Sequence, residues 1–473
     1  MRAPTPSLYP LTHTSLLKTH FIGQKLSTLP TPCIVLDRAR IRRNCAAMLG
    51  ICSALGVGFR AHVKSHKTIE LSRMQVGDWE GEGEGEGGKK ANFIVSTVLE
   101  AEQLVGYVKE IQGRGWDGSI LYGVPVPQSS IPRLISLATE LAPGSIHVLI
   151  DNLDAFIKFY ERLSSAPEAM QLGVFIKIDT GYERAGIKTS SPAFPALVQS
   201  IVAKTQEPES KCFLKGFYSH FGHSYGGSSE DDAAMGLIEE LVGLEAAVKA
   251  VPEEFTGKLV LSVGATPTAT AAQNMLASSS PRVHEFQQVL ARLQKSHAVE
   301  LHAGVYPLLD CQQVATHARP ATISGEATSA FQPLSKSNIS VRMLVEVTSV
   351  YNERGKPEAL VSAGSLAMGR EPCKSYPGWG IVTGDFGNSS AKHIYDERED
   401  KTGWIVGRIS QEHGILTWEG ERSECNELSV GDRVMVWPNH ACVAGAGFGW
   451  YLVVDSDTNG ETVVDAWVRW RGW

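Results

Sequence analysis

The sequence lacks the features that mark several large classes of protein. Its eight cysteines include no Cys-x-x-Cys pair and follow no regular spacing, so a disulfide scaffold is not expected and most of the thiols are predicted to be buried apolar fillers. No run approaches the roughly 18 consecutive apolar residues of a membrane span. The segment Met1 to Gln24 contains Pro, His and Lys where a signal peptide needs an unbroken apolar stretch. We therefore expect a cytoplasmic protein.

A long basic block is also missing, and the formal net charge is -7. Both observations argue against nucleic acid or an anionic membrane as the main partner, so a small-molecule substrate is expected. The 473 residues are 43% hydrophobic and 20% charged, which is the composition of a globular protein. Because this length exceeds one ordinary core, we predict two domains.

The first long region, from Val57 to Ala303, alternates short apolar runs with longer stretches of helical period. This is the βα pattern, and eight such units are the count of a closed barrel. We therefore predict an α/β fold in which residues 38–321 form a (β/α)₈ TIM-type barrel. The predicted strands are Gly58 to Val63, Asn92 to Ser96, Ser119 to Gly123, Ile146 to Asp151, Gly173 to Asp179, Leu214 to His220, Lys258 to Val263 and Val299 to Ala303.

Beyond about Thr322 the periodicity becomes strand-rich without intervening helices. Residues 322–473 are therefore predicted to form a C-terminal antiparallel β-domain. Residues 1–37 contain one further strand, Thr31 to Asp37, and are predicted to join that β-domain. The strands predicted in the β-domain are Val341 to Val350, Ala359 to Ser362, Trp404 to Ile409, Arg433 to Trp437, Trp450 to Val454 and Val463 to Val468.

An alternating Glu-Gly tract occupies residues 80–88. It carries clustered like charge and cannot bury apolar surface, so it is predicted to be a mobile loop. Because it connects a helix to the next strand, it should lie on the barrel face opposite the strand carboxyl ends. A role in repelling anions or loading metal is conceivable, but we favour a neutral insertion.

The first predicted barrel strand ends in a lysine, Lys64, with His62, His66 and Lys67 close by. Neighbouring cations and loss of hydration both favour the neutral amine, which is the nucleophile that a Schiff base requires. A lysine at a strand end can equally extend to water. The first interpretation predicts a carbonyl cofactor.

A second unusual segment, Val263–Thr268, follows the seventh strand. Its glycine lets the backbone turn close to a ligand, Thr266 can cap a helix, and Pro267 suits the first helical position. Such a helix start binds phosphate, although many capped helices bind nothing. Active sites of barrels gather at the strand carboxyl ends. A lysine and a phosphate site on the same rim together indicate pyridoxal 5′-phosphate, which has both an aldehyde and a phosphate.

These segments resemble the fold-type III pyridoxal phosphate enzymes, and within them the eukaryotic-type D-serine dehydratases related to D-threonine aldolases. The resemblance covers nearly the whole chain. Its matching segments are Thr31–Asp37, His62–Lys67, Gly216–His220, Gly222–Tyr225, Val263–Thr268, Glu300–Gly304, Gln411–Gly414 and Pro438–Cys442.

The resemblance implies specific roles for residues of the barrel. Lys64 would form the Schiff base with the cofactor and act as the catalytic amine. The cofactor pocket would be lined by Tyr218, Tyr225, Thr266, Gly304 and Val305. Val305 departs from the pattern, because Asn is expected there in relatives. The change is tolerable if the backbone N–H at this position binds phosphate, whereas a side-chain role would place cofactor affinity in doubt.

The pair His440 and Cys442 is the candidate metal site. Residues two apart in an extended segment point to the same side, and imidazole with thiolate favours zinc over magnesium or manganese. Two protein ligands would leave open positions for water and substrate oxygen. His-x-Cys alone is a weak signal. Relatives that are D-threonine aldolases carry a His-x-Asp pair instead, so the thiol of Cys442 points to the dehydratase branch.

The expected activity is therefore the pyridoxal phosphate- and zinc-dependent conversion of D-serine to pyruvate and ammonia, with the D configuration taken from the resemblance. The alternatives are a D-threonine aldolase, a dehydratase of another β-hydroxy D-amino acid, and a non-catalytic pyridoxal phosphate carrier. The resemblance also implies a homodimer. No role is assigned to five polar residues near the predicted site, which are His220, His223, Asp310, Glu412 and His413.

Overall fold

The chain folds into a parallel barrel and a β-sheet domain, which confirms the predicted fold class. The computed structural model describes residues 9–79, 89–164, 166–167, 170–276, 281–322, 330–384 and 393–473. The Glu-Gly tract at residues 80–88 lies outside the described residues, so the prediction of a loop there stays a prediction.

The sequence begins with elements of the sheet domain. A helix, α1 (Thr14–Phe21), precedes the first strand, β1 (Cys33–Asp37), and a long helix follows, α2 (Arg38–Ala54). Asp37 is the last residue of β1 and the N-cap of α2, since its Oδ1 accepts the backbone N–H of Ala39 at 3.1 Å.

Eight parallel strands then close into a barrel. They are fully or almost fully buried, since helices cover the outside and side chains fill the inside. The strands are β2 (Gly58–His62), β3 (Lys90–Val95), β4 (Asp117–Pro125), β5 (Ile146–Ile150), β6 (Leu172–Lys177), β7 (Cys212–Tyr218), β8 (Val260–Val263) and β9 (Ala298–Ala303). Each predicted barrel strand overlaps one of these.

The helices of the barrel region follow the strands in turn. They are α3 (Ile69–Gln75), α4 (Val98–Gly113), α5 (Ile131–Ala138), α6 (Leu153–Leu163), α7 (Ala193–Thr205), α8 (Glu230–Val248), α9 (Thr266–Ala271), α10 (Pro281–Gln294) and α11 (Cys311–Val314). Short polar side chains fix several starts: Thr97, Asn152 and Ser229 accept backbone N–H groups of α4, α6 and α8.

A nine-stranded sheet forms the second domain. Its remaining elements are β10 (Val341–Tyr351), β11 (Glu358–Val361), α12 (Ser365–Met368), β12 (Gly380–Val382), β13 (Gly403–Ile409), β14 (Gly414–Glu419), β15 (Arg433–Pro438), α13 (Ala441–Ala444), β16 (Trp450–Val454) and β17 (Asp465–Val468). β12 and β14 were not predicted.

The strand β1 lies inside this sheet, between β10 and β16. It pairs antiparallel with β10, where Cys33 faces Leu344, and parallel with β16, where Val35 faces Leu452. The sheet is therefore antiparallel except at this one pairing among the described strands.

The apolar core has three parts. One large cluster continues from the barrel helices into the sheet domain. A second packs α1 against the far face of the sheet. A third, small cluster fills the barrel interior with side chains of five successive strands, namely Ile94, Leu121, Leu149, Phe175 and Tyr218.

Two predictions about whole classes of residue can be compared with the structure. All eight cysteines are in the described part of the chain, all have free thiols, and six are buried. Of the described helices, none combines the length and apolar character that crossing a bilayer requires.

Candidate active site

A cavity of about 640 Å³ opens where the carboxyl ends of the barrel strands meet the sheet domain. The barrel side of its wall contains Lys64, Tyr182, Arg184, His220, Gly222, His223, Tyr225, Gly226, Val305 and Gln312, and the sheet domain contributes Glu371, Pro372, Lys374, His440 and Cys442. The lysine and the metal pair predicted from sequence therefore line one cavity.

Lys64 lies in the turn that follows β2. Its backbone N–H donates to His62 Nδ1 at 3.4 Å. The next residue, Ser65, is buried and places its hydroxyl 3.0 Å from Cys442 Sγ. Lys67 adopts a positive φ of 53° at the end of the turn, and its carbonyl accepts the backbone N–H of Trp470 at 2.8 Å. Contacts from the sheet domain thus hold both sides of the Lys64 turn.

Two backbone N–H groups converge on the hydroxyl of Thr266. Thr266 Oγ1 accepts from Gly304 N at 3.4 Å and from Val305 N at 3.2 Å, and all three residues lie at strand carboxyl ends. Gly304 has close neighbours, since a Cβ there would lie 3.3 Å from both His62 Cβ and Lys64 Cε. The prediction that Thr266 caps the helix is wrong: Ala265 is the N-cap of α9, and the Thr266 side chain instead receives these N–H groups.

The two tyrosines occupy different places. Tyr225 belongs to a short 3₁₀ helix, Gly222–Gly226, and lines the cavity. Burial raises its pKa, and the charge of Cys442 raises it further. Tyr218 lies behind the wall, inside the barrel, where its ring stacks on His302 with centroids 4.3 Å apart. Tyr218 therefore packs under His302 and does not itself line the cavity.

His440 and Cys442 stand at the start of α13 and are held from the barrel side. Asp310 is fully buried; its Oδ2 accepts the N–H of Ala441 at 2.9 Å and its Oδ1 accepts that of Gln313 at 2.8 Å. Nδ1 of His440 is buried without a hydrogen-bond partner, and Glu371 Oε2 is 4.0 Å away. Asp310 thus fixes the position of the segment that carries the pair.

Charges in the cavity act on this pair and on the nearby imidazoles. Burial opposes ionisation of Cys442, but His440 and then Lys64 lower the pKa of its thiol. Burial would lower the pKa of His440, yet Cys442, Asp310 and Glu371 together raise it to about 9. Burial, followed by the charge of Lys64, holds the pKa of His220 well below its usual range. His220 is therefore neutral, and its Nδ1 lies 2.9 Å from the carbonyl oxygen of Gly264.

Several residues of the site carried no usable sequence signal. Lys374, in a loop of the sheet domain, donates to the carbonyls of Gly226, at 3.1 Å, and Gly227, and so bridges the two domains beside the cavity. By contrast, Glu412 and His413 are exposed on the β13–β14 hairpin. Within the described residues, no group of three or more His, Cys, Asp or Glu side chains is arranged to hold a metal ion.

Glu240 is a further residue that sequence reasoning missed. It belongs to α8, is 0% exposed, and lies under the turn after β8. Its Oε1 accepts Gly264 N at 3.0 Å and Ser219 Oγ at 3.1 Å, and its Oε2 accepts Thr268 Oγ1 at 3.2 Å. Burial raises its pKa to about 7 despite these hydrogen bonds. This carboxyl therefore supports the turn that presents Thr266.

Two family models match the chain. The alanine racemase N-terminal domain matches residues 36–283, and a serine dehydratase domain matches residues 340–454. The first spans most of the barrel and the second most of the sheet domain.

Whole-length relatives give the same picture. The chain is 35% identical to the D-serine dehydratase of Schizosaccharomyces pombe over 97% of this chain and 95% of that protein. It is 30% identical to the D-serine dehydratase of Saccharomyces cerevisiae over 96% and 99%. The solved D-threo-3-hydroxyaspartate dehydratase from a Delftia species is 25% identical, with a TM-score of 0.69 over 95% of this chain and 100% of that one.

Proposed function

We propose that this chain, which belongs to the D-serine dehydratase family, converts D-serine to pyruvate and ammonia with the help of pyridoxal 5′-phosphate and zinc. Family membership makes the chain a pyridoxal phosphate-dependent lyase. The observation that carries the proposal is the shared cavity, in which Lys64 faces the pair His440 and Cys442.

The residues present fit pyridoxal phosphate. The N–H groups of Gly304 and Val305, which donate to Thr266 Oγ1 in this structure, and the Thr266 hydroxyl lie together and would hold a phosphate in place of that internal contact. The space that a Cβ at Gly304 would fill is bounded by Lys64 Cε. Because Val305 contributes its backbone N–H, the absence of Asn at this position does not remove that contact. The cavity volume of about 640 Å³ is in the range of small-molecule sites.

The metal pair also fits a soft divalent cation. Thiolate and imidazole are the ligands that zinc prefers, and two of them leave open positions for water and substrate. The orphaned Nδ1 of His440, with Glu371 4.0 Å away, is the arrangement in which a carboxylate orients an imidazole ligand. One solved form of a D-threo-3-hydroxyaspartate dehydratase variant is described as metal-free.

When bound, pyridoxal phosphate supplies an electron sink at Cα, and zinc supplies a Lewis acid for the departing β-hydroxyl. The chain's own residues do the rest. Lys64 would hold the cofactor, and its free amine would take the α-proton of the substrate. Thr266, Gly304 and Val305 hold the phosphate, and the stacked pair Tyr218 and His302 supports the site from below.

The cavity also contains two cations beyond Lys64. Arg184 lies over the Tyr182 ring at 5.2 Å, and Lys374 is bound to backbone carbonyls. A guanidinium such as that of Arg184 can donate hydrogen bonds to a second carboxylate of the substrate. This favours a second candidate, dehydration of a β-hydroxy amino diacid such as 3-hydroxyaspartate.

Product analysis tests the proposal directly. Pyruvate and ammonia from D-serine are expected, with lower turnover of D-threo-3-hydroxyaspartate. A preference for the diacid would favour the second candidate. Release of glycine and acetaldehyde from D-threonine as the main activity would instead indicate an aldolase and overturn the proposal.

Metal removal tests the zinc part separately. Dialysis against a chelator is expected to abolish dehydration while the visible absorbance of the bound cofactor remains. Added zinc should restore turnover. Unchanged turnover in protein shown to be metal-free would refute the role of the metal.

A further inference from the structure

A second and larger cavity lies at the opposite, amino end of the barrel. Its volume is about 880 Å³. Its wall is built from first residues of the strands and from residues just before them, such as Gly58, Lys90, Asp117, Ser145 and Val260. The apolar interior layer that contains Leu121 and Phe175 lies between this cavity and Lys64. The two cavities are therefore separate sites.

The wall of this cavity carries more positive than negative side chains. Arg60, Lys90, Lys215 and Lys258 face only Asp117 and Glu300. The buried Arg60 is already matched, since its Nε donates to Glu300 Oε1 at 2.6 Å and its Nη2 to Glu300 Oε2 at 3.2 Å. The lysines are therefore the excess charge.

Lys215 is the least exposed of these lysines, since Lys90 and Lys258 are exposed. Half-buried inside the barrel, it makes no hydrogen bond or ion pair with any described residue. It is also the extra residue of a β-bulge: Leu214 pairs with Val174 and Gly216 with Phe175, so Lys215 has no counterpart in β6. A bulge re-aims a side chain. Here it lets both Lys215 and Tyr218 project into the barrel, toward opposite ends.

A buried imidazole next to Lys215 also lacks partners. His147 is 1% exposed, lines the cavity, and has no hydrogen bond of good geometry at either ring nitrogen, although the backbone of Gly144 is close enough to act on its pKa. Its ring is held edge-on against Phe175 at 5.6 Å and Phe213 at 6.4 Å. Burial, together with the charges of Arg60 and Lys215, keeps its pKa well below the usual range. His147 is thus neutral and offers one donor N–H beside an unmatched ammonium.

We infer that this amino-end cavity is a binding site for a small dianion with oxygen acceptors, a phosphate or a dicarboxylate, held by Lys215 and His147 with Lys258 at the mouth. An unmatched cation inside a protein is costly, and an oxygen dianion would supply acceptors for the ammonium and the imidazole N–H together. The inference is independent of the reaction at the other end of the barrel.

The test uses the cofactor-loaded protein, so that added phosphate cannot enter the cofactor's own phosphate site. Inorganic phosphate and malonate are titrated in separate calorimetry experiments, with sodium chloride at matched ionic strength as the blank. Saturable binding of either anion supports the site, and the tighter of the two identifies the preferred group. No saturable heat with either anion overturns it.

Variants locate the binding. Lys215→Met is expected to weaken the affinity for the anion by roughly tenfold or more. Lys215→Arg should retain the affinity. Lys258→Met, at the exposed mouth, should weaken the affinity for the anion less. This variant keeps the inference testable if Lys215→Met does not fold. Lys249→Met, an exposed lysine of the α8 end outside the cavity, is the matched control. Equal affinity in wild type, Lys215→Met and Lys258→Met would overturn the assignment.

Discussion

The two ends of the barrel solve the problem of interior polar groups in different ways. At the carboxyl end, the sheet domain closes the cavity, and its wall combines imidazoles and the thiol of Cys442 with four charged side chains, those of Lys64, Arg184, Glu371 and Lys374. At the amino end the wall comes from the barrel region alone, and it contains more cationic than anionic side chains, with Arg60 and Glu300 paired at 2.6 Å. An apolar layer keeps the two apart.

The groups proposed to react with substrate therefore lie at the carboxyl end, whereas the buried ion pair lies at the amino end. Groups at the carboxyl end are positioned by residues behind them, as Asp310 positions the start of α13 and Glu240 the turn before α9. Their own functional atoms stay available. At the amino end, Arg60 and Glu300 are paired with each other, whereas the lysines of the wall, Lys215 among them, have no ion-pair partner among the described residues. A comparison of variants at the two ends can therefore distinguish reactive groups from structural ones.

The largest effect on turnover is expected at Lys64, and Lys215 at the other end of the barrel is its comparison. Lys64→Ala should lower D-serine turnover by about a thousandfold or more, because it removes the group that attaches the cofactor and the proposed proton acceptor. Lys215→Met should keep turnover near wild type. Pyruvate formation and retention of visible absorbance after gel filtration measure both. A comparable loss in the two variants would break the distinction between the ends.

The next largest effect is expected at the thiol of Cys442, and the buried thiol of Cys212 is its comparison. Cys442→Ala should release zinc and lower dehydration by about a hundredfold or more, because an imidazole alone is a weak zinc site. Cys212→Ala removes a buried thiol from β7 near the amino end and should leave zinc content unchanged. Metal analysis of the purified proteins decides, and full zinc occupancy in Cys442→Ala would contradict the assigned pair.

The ion pair at the amino end should act on stability. Glu300→Gln leaves the buried Arg60 without its carboxylate, and breaking such a pair costs about 3–5 kcal/mol. Adding Arg60→Met should recover part of this loss. Denaturant unfolding measures the free energy. A loss under about 1 kcal/mol would mean that the pair behaves like a surface ion pair.

The smallest effect concerns Glu240 and depends on pH. Burial raises its folded pKa from 4.5 to about 7, so the folded protein keeps a proton that the unfolded chain has lost. The contribution of Glu240 to the free energy of unfolding should therefore fall by about 3 kcal/mol as pH rises from 4.5 to 7. Glu70 and buried imidazoles such as His66 titrate in the same range, so this contribution is measured as the difference between wild type and Glu240→Gln. Lys177, whose pKa burial lowers to about 8, titrates above this range. Glu240→Gln removes this contribution, so the stability of the variant should increase relative to wild type as pH rises from 4.5 to 7, and parallel pH profiles of the two proteins would refute the prediction.

The barrel strands could be predicted from the sequence because each is a short apolar run between helical segments. The strand signal was weaker in the sheet domain, where the three-residue β12 is too short to show a period and β14 alternates with few β-branched residues. The parallel pairing of β1 with β16 depends on contacts between segments far apart in the chain, which local patterns do not contain.

For the candidate site, the residue types around Lys64 suggested a cofactor lysine, whereas the pair His440 and Cys442 was predicted mainly from the family resemblance. Glu240 stands in a helix of ordinary amphipathic pattern, and nothing local distinguishes it from the exposed acidic residues Asp231 and Glu239 of the same helix. Lys215 gave no signal either, because a lysine in an alternating strand normally faces water. Only the bulge after Leu214, a feature of three-dimensional pairing, turns it inward.

The location of β1 between β10 and β16 has a consequence for synthesis on the ribosome. The barrel strands are all translated before β10, so the barrel can close while the sheet is still incomplete. β1, however, must wait for β16 before both its edges are covered. Until then at least one edge of this apolar strand stays open to other chains. The part of the cavity that contains His440 and Cys442 also forms late, because both residues follow β15. In a nascent polypeptide, Lys64 can thus reach its position early, whereas His440 and Cys442, the proposed metal ligands, join the cavity late.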